Sequence, residues 1–287
     1  MIFRILALFL LASPVIAQPE FIRDSVQSLR GESDGFGGFS GIHVYENGLD
    51  FTVITDRGNL LNGVFTRADG RITSIEFAAL IPILDTKGRP LDSFNTDAEG
   101  LAIAPDGSLL ISFESNNRIM RHATQTSPAE FLPKHPDFNR LQTNSGLEAL
   151  AIDASGTVYA LPERSGELDR PFPVYRFKNN TWDTDLQVPR QPPFLVVGAD
   201  ILDGKLYILE RHLAGLAGFL TRIRRFTIED GLVDEQVLFT SKSGQFDNLE
   251  GISVWRDPLG QIRATVISDD NFNFFQRSQI VEFVLHD

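Results

Sequence analysis

The chain has 287 residues, a formal net charge of −12, no cysteine and five histidines. Without thiolates, cysteine nucleophiles and sulfur-ligated metal sites are excluded, and the acidic balance excludes the basic footprint that nucleic acid or an anionic membrane requires. The length exceeds that of most single domains but suits one closed β architecture, with enough core to fold without disulfides.

At the start, Arg4 precedes an apolar run from Ile5 to Leu11 and a small-residue site at Val15-Ile16-Ala17. This is the layout of a secretory signal peptide, residues 1–17, with cleavage expected after Ala17. No later apolar stretch is long enough to span a bilayer. The expectation is a periplasmic or secreted protein without stable membrane insertion, its single domain covering residues 18–287. Phe21 to Leu29 then alternates as a strand does. Gly31 to Gly41 lacks the Lys-Ser/Thr of a phosphate loop and opens no helix, so it reads as a link.

From residue 40 a motif returns five times: an apolar strand opened by Ser-Gly, Glu-Gly or a similar pair, then a second strand ending in a carboxylate. The copies are Ser40-Gly41-Ile42 with Asp56-Arg57, Glu99-Gly100-Leu101 with Glu114, and Glu148-Ala149-Leu150 with Glu163-Arg164. Gly198-Ala199-Asp200 with Glu210-Arg211 and Glu250-Gly251-Ile252 with Asp269-Asp270-Asn271 complete the set. From Ser40 through Glu99, Glu148, Asp200 and Glu250 the steps are 59, 49, 52 and 50 residues. A period of this length belongs to a propeller or a solenoid.

Strand signals inside the repeats favour the propeller. In the second, strands are predicted at Gly100–Ala104, Leu109–Glu114, Asn117–Ala123 and Ala129–Pro133; a short helical turn is expected near Pro136 to Leu141. In the fourth, Asp203-Gly204 is a hairpin turn between Val196–Leu202 and Lys205–Glu210. Four short antiparallel strands make one propeller blade. The last repeat shows only Gly251–Arg256, Arg263–Ser268 and Gln279–Leu285, so Phe21–Leu29 is expected to supply its fourth strand and close the ring. The predicted fold is an all-β propeller of five four-stranded blades; six stay open if Asn59 to Thr96 hides a degenerate one. Most of the 23 Phe fall at alternating strand positions, as packing between blades requires.

In a propeller the start of the first strand and the end of the second lie on the same face. Glu99 and Glu114, Glu148 and Glu163, and Asp56, Asp200, Glu210, Glu250, Asp269 and Asp270 are therefore expected around one mouth. Partly buried carboxylates so crowded must share protons, pair with cations or bind metal. Oxygen donors alone favour a hard divalent cation such as calcium, with Glu99, Glu148, Glu250, Asp269 and Asp270 as candidate ligands. Arg57, Arg164 and Arg211 each follow a strand-ending acid. They either neutralise the ring or clamp a small anionic substrate, and the sequence leaves both open. Glu114, Glu163 and His212 are the candidate acid–base residues.

The stretches Gly38-Phe39-Ser40-Gly41-Ile42, Thr55-Asp56-Arg57-Gly58, Asp97-Ala98-Glu99-Gly100-Leu101-Ala102, Leu209-Glu210-Arg211, Asn248-Leu249-Glu250-Gly251-Ile252 and Ser268-Asp269-Asp270-Asn271 resemble the family called esterase-like activity of phytase. The resemblance covers most of the chain in order, while Glu148-Ala149 departs from the Glu-Gly pattern. It implies an exported propeller linked to phosphomonoester hydrolysis. Propeller phytases proper use several calcium ions at one mouth, though no phytase site motif is matched here residue by residue. Three functions follow as expectations: a metal-dependent phosphate-ester hydrolase, a calcium-dependent lactonase or esterase, and a non-catalytic binding propeller. Fold alone does not separate them.

Overall fold

The computed structural model describes residues 19–31 and 35–286. The expected signal peptide lies outside the described residues. In chain order the strands are β1 (Glu20–Ser28), β2 (Phe39–Val44), β3 (Asp50–Thr55), β4 (Asn59–Ala68), β5 (Arg71–Phe77) and β6 (Ile81–Pro82). The second blade holds β7 (Ala98–Ile103), β8 (Leu109–Phe113), β9 (Arg118–His122) and β10 (Ala129–Phe131). The third holds β11 (Leu147–Ile152), β12 (Val158–Pro162), β13 (Phe172–Lys178) and β14 (Thr181–Val188); the fourth holds β15 (Leu195–Leu202), β16 (Lys205–Leu213), β17 (Phe219–Ile228) and β18 (Leu232–Thr240). Last come β19 (Asn248–Arg256), β20 (Ile262–Asp269) and β21 (Gln279–His286). Strand order is sequential in each sheet, and β1 is the outer strand of the last, so the protein is a five-bladed propeller.

Residues 59–96 form no sixth blade. β4 and β5 complete the first sheet, β6 adds a short fifth strand against β4, and the remainder turns back on itself. The turn is fixed by Asp85, whose carboxylate accepts the backbone N–H groups of Lys87 and Arg89. A segment spent on that turn has no residues left for a sheet.

Five apolar clusters go round the ring, one at each interface between neighbouring blades. That is why inner strands such as Leu109–Phe113 are buried on both faces, while the outer β18 keeps one buried position, Leu238. Ring closure rests on β1. Its Phe21 is 1 % exposed and packs against Tyr207 and Phe283, each with ring centroids 6.3 Å away. Pairing runs from Glu20 opposite His286 to Ser28 opposite Gln279. A buried ion network ties the last blade to the first: Glu282 accepts a two-pronged bond from Arg67, at 2.7 and 2.8 Å, and another from Arg263 of its own blade at 2.8 Å.

The expected helical turn is a single 3-10 turn at Pro136–Arg140. No helix among the described residues is long and apolar enough to cross a membrane.

Candidate functional site

Every first strand carries one β-bulge near its start. The register slips between Phe39 and Gly41, Ala98 and Leu101, Leu147 and Ala149, Val196 and Gly198, and Leu249 and Gly251. A bulged residue leaves the ladder and its side chain is re-aimed. The five are Ser40, Glu99, Glu148, Val197 and Glu250, and they form the inner ring of the mouth. The small residue that follows each is a packing requirement. A Cβ on Gly100 would fall 2.6 Å from Leu150 Cβ, and one on Gly251 would fall 2.9 Å from Gly41 Cα. Neighbouring first strands approach too closely at the axis for more. Below the ring, Ile42, Leu101, Leu150, Ala199 and Ile252 narrow the channel to a void of about 10 Å³, the space of roughly one water. Chemistry is confined to the mouth.

The bulge corrects the placement of Asp200. In the fourth blade the ring position belongs to Val197, three residues earlier. Asp200 instead ties two blades together, its Oδ2 accepting Val254 N–H at 2.6 Å and its Oδ1 accepting Ile201 N–H at 2.8 Å. Burial pushes its pKa up to about 7.

The ends of the second strands make an outer ring. Asp56, Glu114 and Glu163 each donate a backbone N–H to the chain just ahead of the first strand, at Gly38, Asp97 and Gly146. Asp269 pairs with Asn248, and Arg211 with Leu195. The fourth member is therefore Arg211. Glu210 is also corrected: it is opposite Val196, fully buried, and accepts from Arg222 and Arg224 at 2.6 Å each. Successive residues of a strand face opposite sides, so Glu210 and Arg211 cannot both reach the mouth.

Seven carboxylates of the two rings surround that one cation. Arg211 reaches Glu163 at 2.9 Å, Asn248 Oδ1 at 2.5 Å, and Glu250. Burial opposes its charge, yet Glu250, Glu148 and Glu163 hold the guanidinium above its ordinary pKa. Glu99 and Glu148, 9 % and 7 % exposed, are both pushed well up, first by burial and then by neighbouring glutamates. Burial raises Asp56 and Glu114 to about 7 and Asp269 to about 8, with repulsion from nearby acids adding to each. Glu250 is raised by burial, with Arg211 opposing.

Asp97, Glu99 and Glu114 offer oxygens that all lie within 4.8 Å of one another, a spacing able to hold a metal ion. Close by, Asp56 Oδ1 is buried and accepts no hydrogen bond among the described residues. The sequence expectation named Glu99, Glu148, Glu250, Asp269 and Asp270 as ligands; the structure brings Glu99, Glu148 and Glu250 into the inner ring and Asp269 into the outer. Asp270 is engaged elsewhere, accepting from Gly38 N–H, Phe272 N–H and Ser278 Oγ as the organiser of a loop.

Of the remaining candidates, Arg57 is exposed and stacks over Phe272, 3.3 Å from the ring centroid. Arg164, half exposed, lies 3.4 Å from Glu163 and donates to Ser145 Oγ at 2.9 Å. His212 follows Arg211 on the opposite side of the strand and packs against Phe194, centroids 6.2 Å apart. Sequence reasoning missed Asp97 and Phe272 as site residues. Asp97 was visible in the Asp-Ala-Glu-Gly opening, where two acids straddle one alanine. Phe272 gave no signal among the other phenylalanines.

The model of the phytase-like family, described as esterase-like activity of phytase, matches residues 34–272. No curated protein matches the chain. Among solved structures it is similar to a luciferin-regenerating enzyme, at 10 % identity and TM-score 0.50, covering 90 % of this chain and 94 % of that one. The PQQ-bound aldose sugar dehydrogenase of Streptomyces coelicolor matches at 14 % identity and TM-score 0.49, covering 91 % and 98 %. A putative gluconolactonase matches at 14 % and 0.47, covering 93 % of each chain. At such identities the likeness is one of fold.

Proposed function

Because the chain belongs to the phytase-like family, whose model spans nearly the whole propeller, we propose that its acidic mouth is the active site of a divalent-cation-dependent hydrolase of phosphate esters. One observation carries the reading. Asp97, Glu99 and Glu114 converge within 4.8 Å, beside an Asp56 oxygen that is buried with no hydrogen-bond partner among the described residues. Oxygen donors without sulfur or imidazole suit a hard cation, and calcium is the ion proposed. Asp97, Glu99 and Glu114 would hold it. Bound there, it supplies charge neutralisation at the phosphoryl group and a water of lowered pKa.

The chain's own groups take the other roles. Arg57 binds the phosphoryl oxygens, since its planar fork is exposed at the rim and oriented by stacking on Phe272. Arg164 is the second cation open to substrate. Arg211 is a positioning residue, because Glu163, Glu250 and Asn248 already engage it. Glu114, as a ligand, would be held ionised by the cation, so the proposed general acid–base is Glu163, the next member of the outer ring, placed between Arg164 and Arg211. His212 is assigned no step. Export after cleavage near Ala17 belongs to the same proposal.

The test is a panel of phosphomonoesters, lactones and carboxyl esters, assayed with calcium and with chelator. Phosphomonoester turnover that chelator and Glu99→Gln both abolish is the expected result. Turnover unaffected by chelator, or none on any substrate, overturns it.

A further inference from the structure

We propose that a hollow on the second blade, beside the carboxylate triad, binds a small organic anion with an apolar body. The hollow has a volume of about 400 Å³, within the range of small-molecule sites. Arg118, Asn95 and Asn116 line its polar side, and Leu91, Met120 and Phe131 its apolar side.

Arg118 is the reason to expect an anion. It is 6 % exposed and rests on the face of Phe113, 4.0 Å from the ring centroid. Its guanidinium donates to two backbone carbonyls, Asn95 O at 2.6 Å and Asn116 O at 3.1 Å, and makes no ion pair among the described residues. Carbonyl oxygens carry partial charge only, so a buried full charge is left under-neutralised. Burial accordingly lowers its pKa to about 10. Nearby acids relieve it only in part: Asp92 and Asp97 favour its charged form, but neither is within ion-pair distance of it. Asp85 is engaged by Arg89 at 2.8 Å, and Asp92 accepts from Asn95 Nδ2 at 2.8 Å. Asp92 remains as a single acid at the edge, which disfavours a ligand with several anionic groups. One carboxylate or phosphate against Arg118, joined to an apolar group on Leu91, Met120 and Phe131, satisfies every wall.

The hollow also adjoins the proposed chemistry. Asn95 is two residues before Asp97, Asn116 two after Glu114, and Asn116 Nδ2 donates to Asn95 Oδ1 at 3.3 Å between them. A substrate spanning this partition would leave its organic portion in the hollow. That placement as a leaving-group pocket rests on the hydrolase reading; the binding itself does not.

The experiment is calorimetric titration of the full mature chain, in calcium buffer, with benzoate and with its neutral isostere benzamide. Benzoate should bind at least tenfold more tightly, Arg118→Met should bring the two to parity, and Arg118→Lys should keep part of the preference. Phe131 is 60 % exposed, so Phe131→Asp leaves folding intact and should weaken benzoate at least tenfold. Equal binding of the two probes, or benzoate affinity unchanged in Phe131→Asp, overturns the proposal. A chain that binds benzoate but hydrolyses no ester refutes the hydrolase reading and leaves the pocket standing. Turnover without any benzoate preference refutes the pocket alone.

Discussion

Arg211 Nη2 lies 2.9 Å from Glu163 Oε1, so the only cation of the outer ring joins the fourth blade to the third, while its other nitrogen holds Glu250 of the fifth. Three blades meet at one side chain. Removing it leaves Glu250 with only the Asn248 amide and Glu163 with only the half-exposed Arg164 as partners. Breaking a buried ion pair typically costs about 3–5 kcal/mol. Arg211→Gln should lower the melting temperature of the chelated protein sharply, and added calcium should restore part of the loss. Chelated Arg211→Gln melting like the parent protein would contradict the positioning role.

The mouth makes metal-free stability depend on pH in a definite direction. Asp56, Glu114 and Asp269 have folded pKa values of about 7, 7 and 8, above their ordinary range. Each binds more protons folded than unfolded across that interval, so their contribution falls as pH rises. The chelated protein should therefore lose stability progressively between about pH 4 and pH 8. A bound cation favours the ionised acids and should flatten or reverse the slope. Thermal melts at several pH values, with and without calcium, check the sign.

Glu99 separates ligand from scaffold. It is buried with its pKa pushed well up, so ionised Glu99 is unfavourable to the empty fold. Glu99→Gln should melt no lower than the parent in chelator, and higher at alkaline pH, yet lose most of its calcium-induced shift. A full calcium shift in the variant would remove Glu99 from the ligand set.

For Glu163 the readout is kinetic. Glu163→Gln should lower kcat by roughly a hundredfold to ten-thousandfold with KM nearly unchanged. It should keep the calcium-induced melting shift, which the ligand variant Glu114→Gln should largely lose. A rise in KM alone would assign Glu163 to binding.

Closure by β1 has its own test. Phe21 fills the space between Tyr207 and Phe283, and Phe→Ala at such a core site typically costs about 3–5 kcal/mol. Phe21→Ala should destabilise the whole propeller in one transition by denaturant unfolding. A separate early transition confined to the last blade would mean that closure is not cooperative.

Much of this architecture was legible in the residues. The alternation of Phe21 to Leu29 and the three-stranded last repeat together pointed to ring closure, and β1 lies there. Burial with a period of two makes such strands readable one by one. The mouth was legible only where the motif kept its phase. Glu99, Glu148 and Glu250 precede a small residue and occupy the inner ring. In the fourth blade Gly198 was read as the start of the copy, when it is the small residue after a bulged Val197.

By itself the amino-acid order determined the number of repeats, the polarity of the strands and the gathering of acids at one end. Hydrophobic spacing and turn residues are local, and they suffice for that. Only the tertiary structure decided that Arg211 and not Glu210 faces the axis, that Asp97 joins Glu99 and Glu114, and that Asp270 organises a loop. Those outcomes turn on bulges, where one extra residue exchanges the two sides of a strand, and on approaches between separate blades. Neither has a signature in linear spacing.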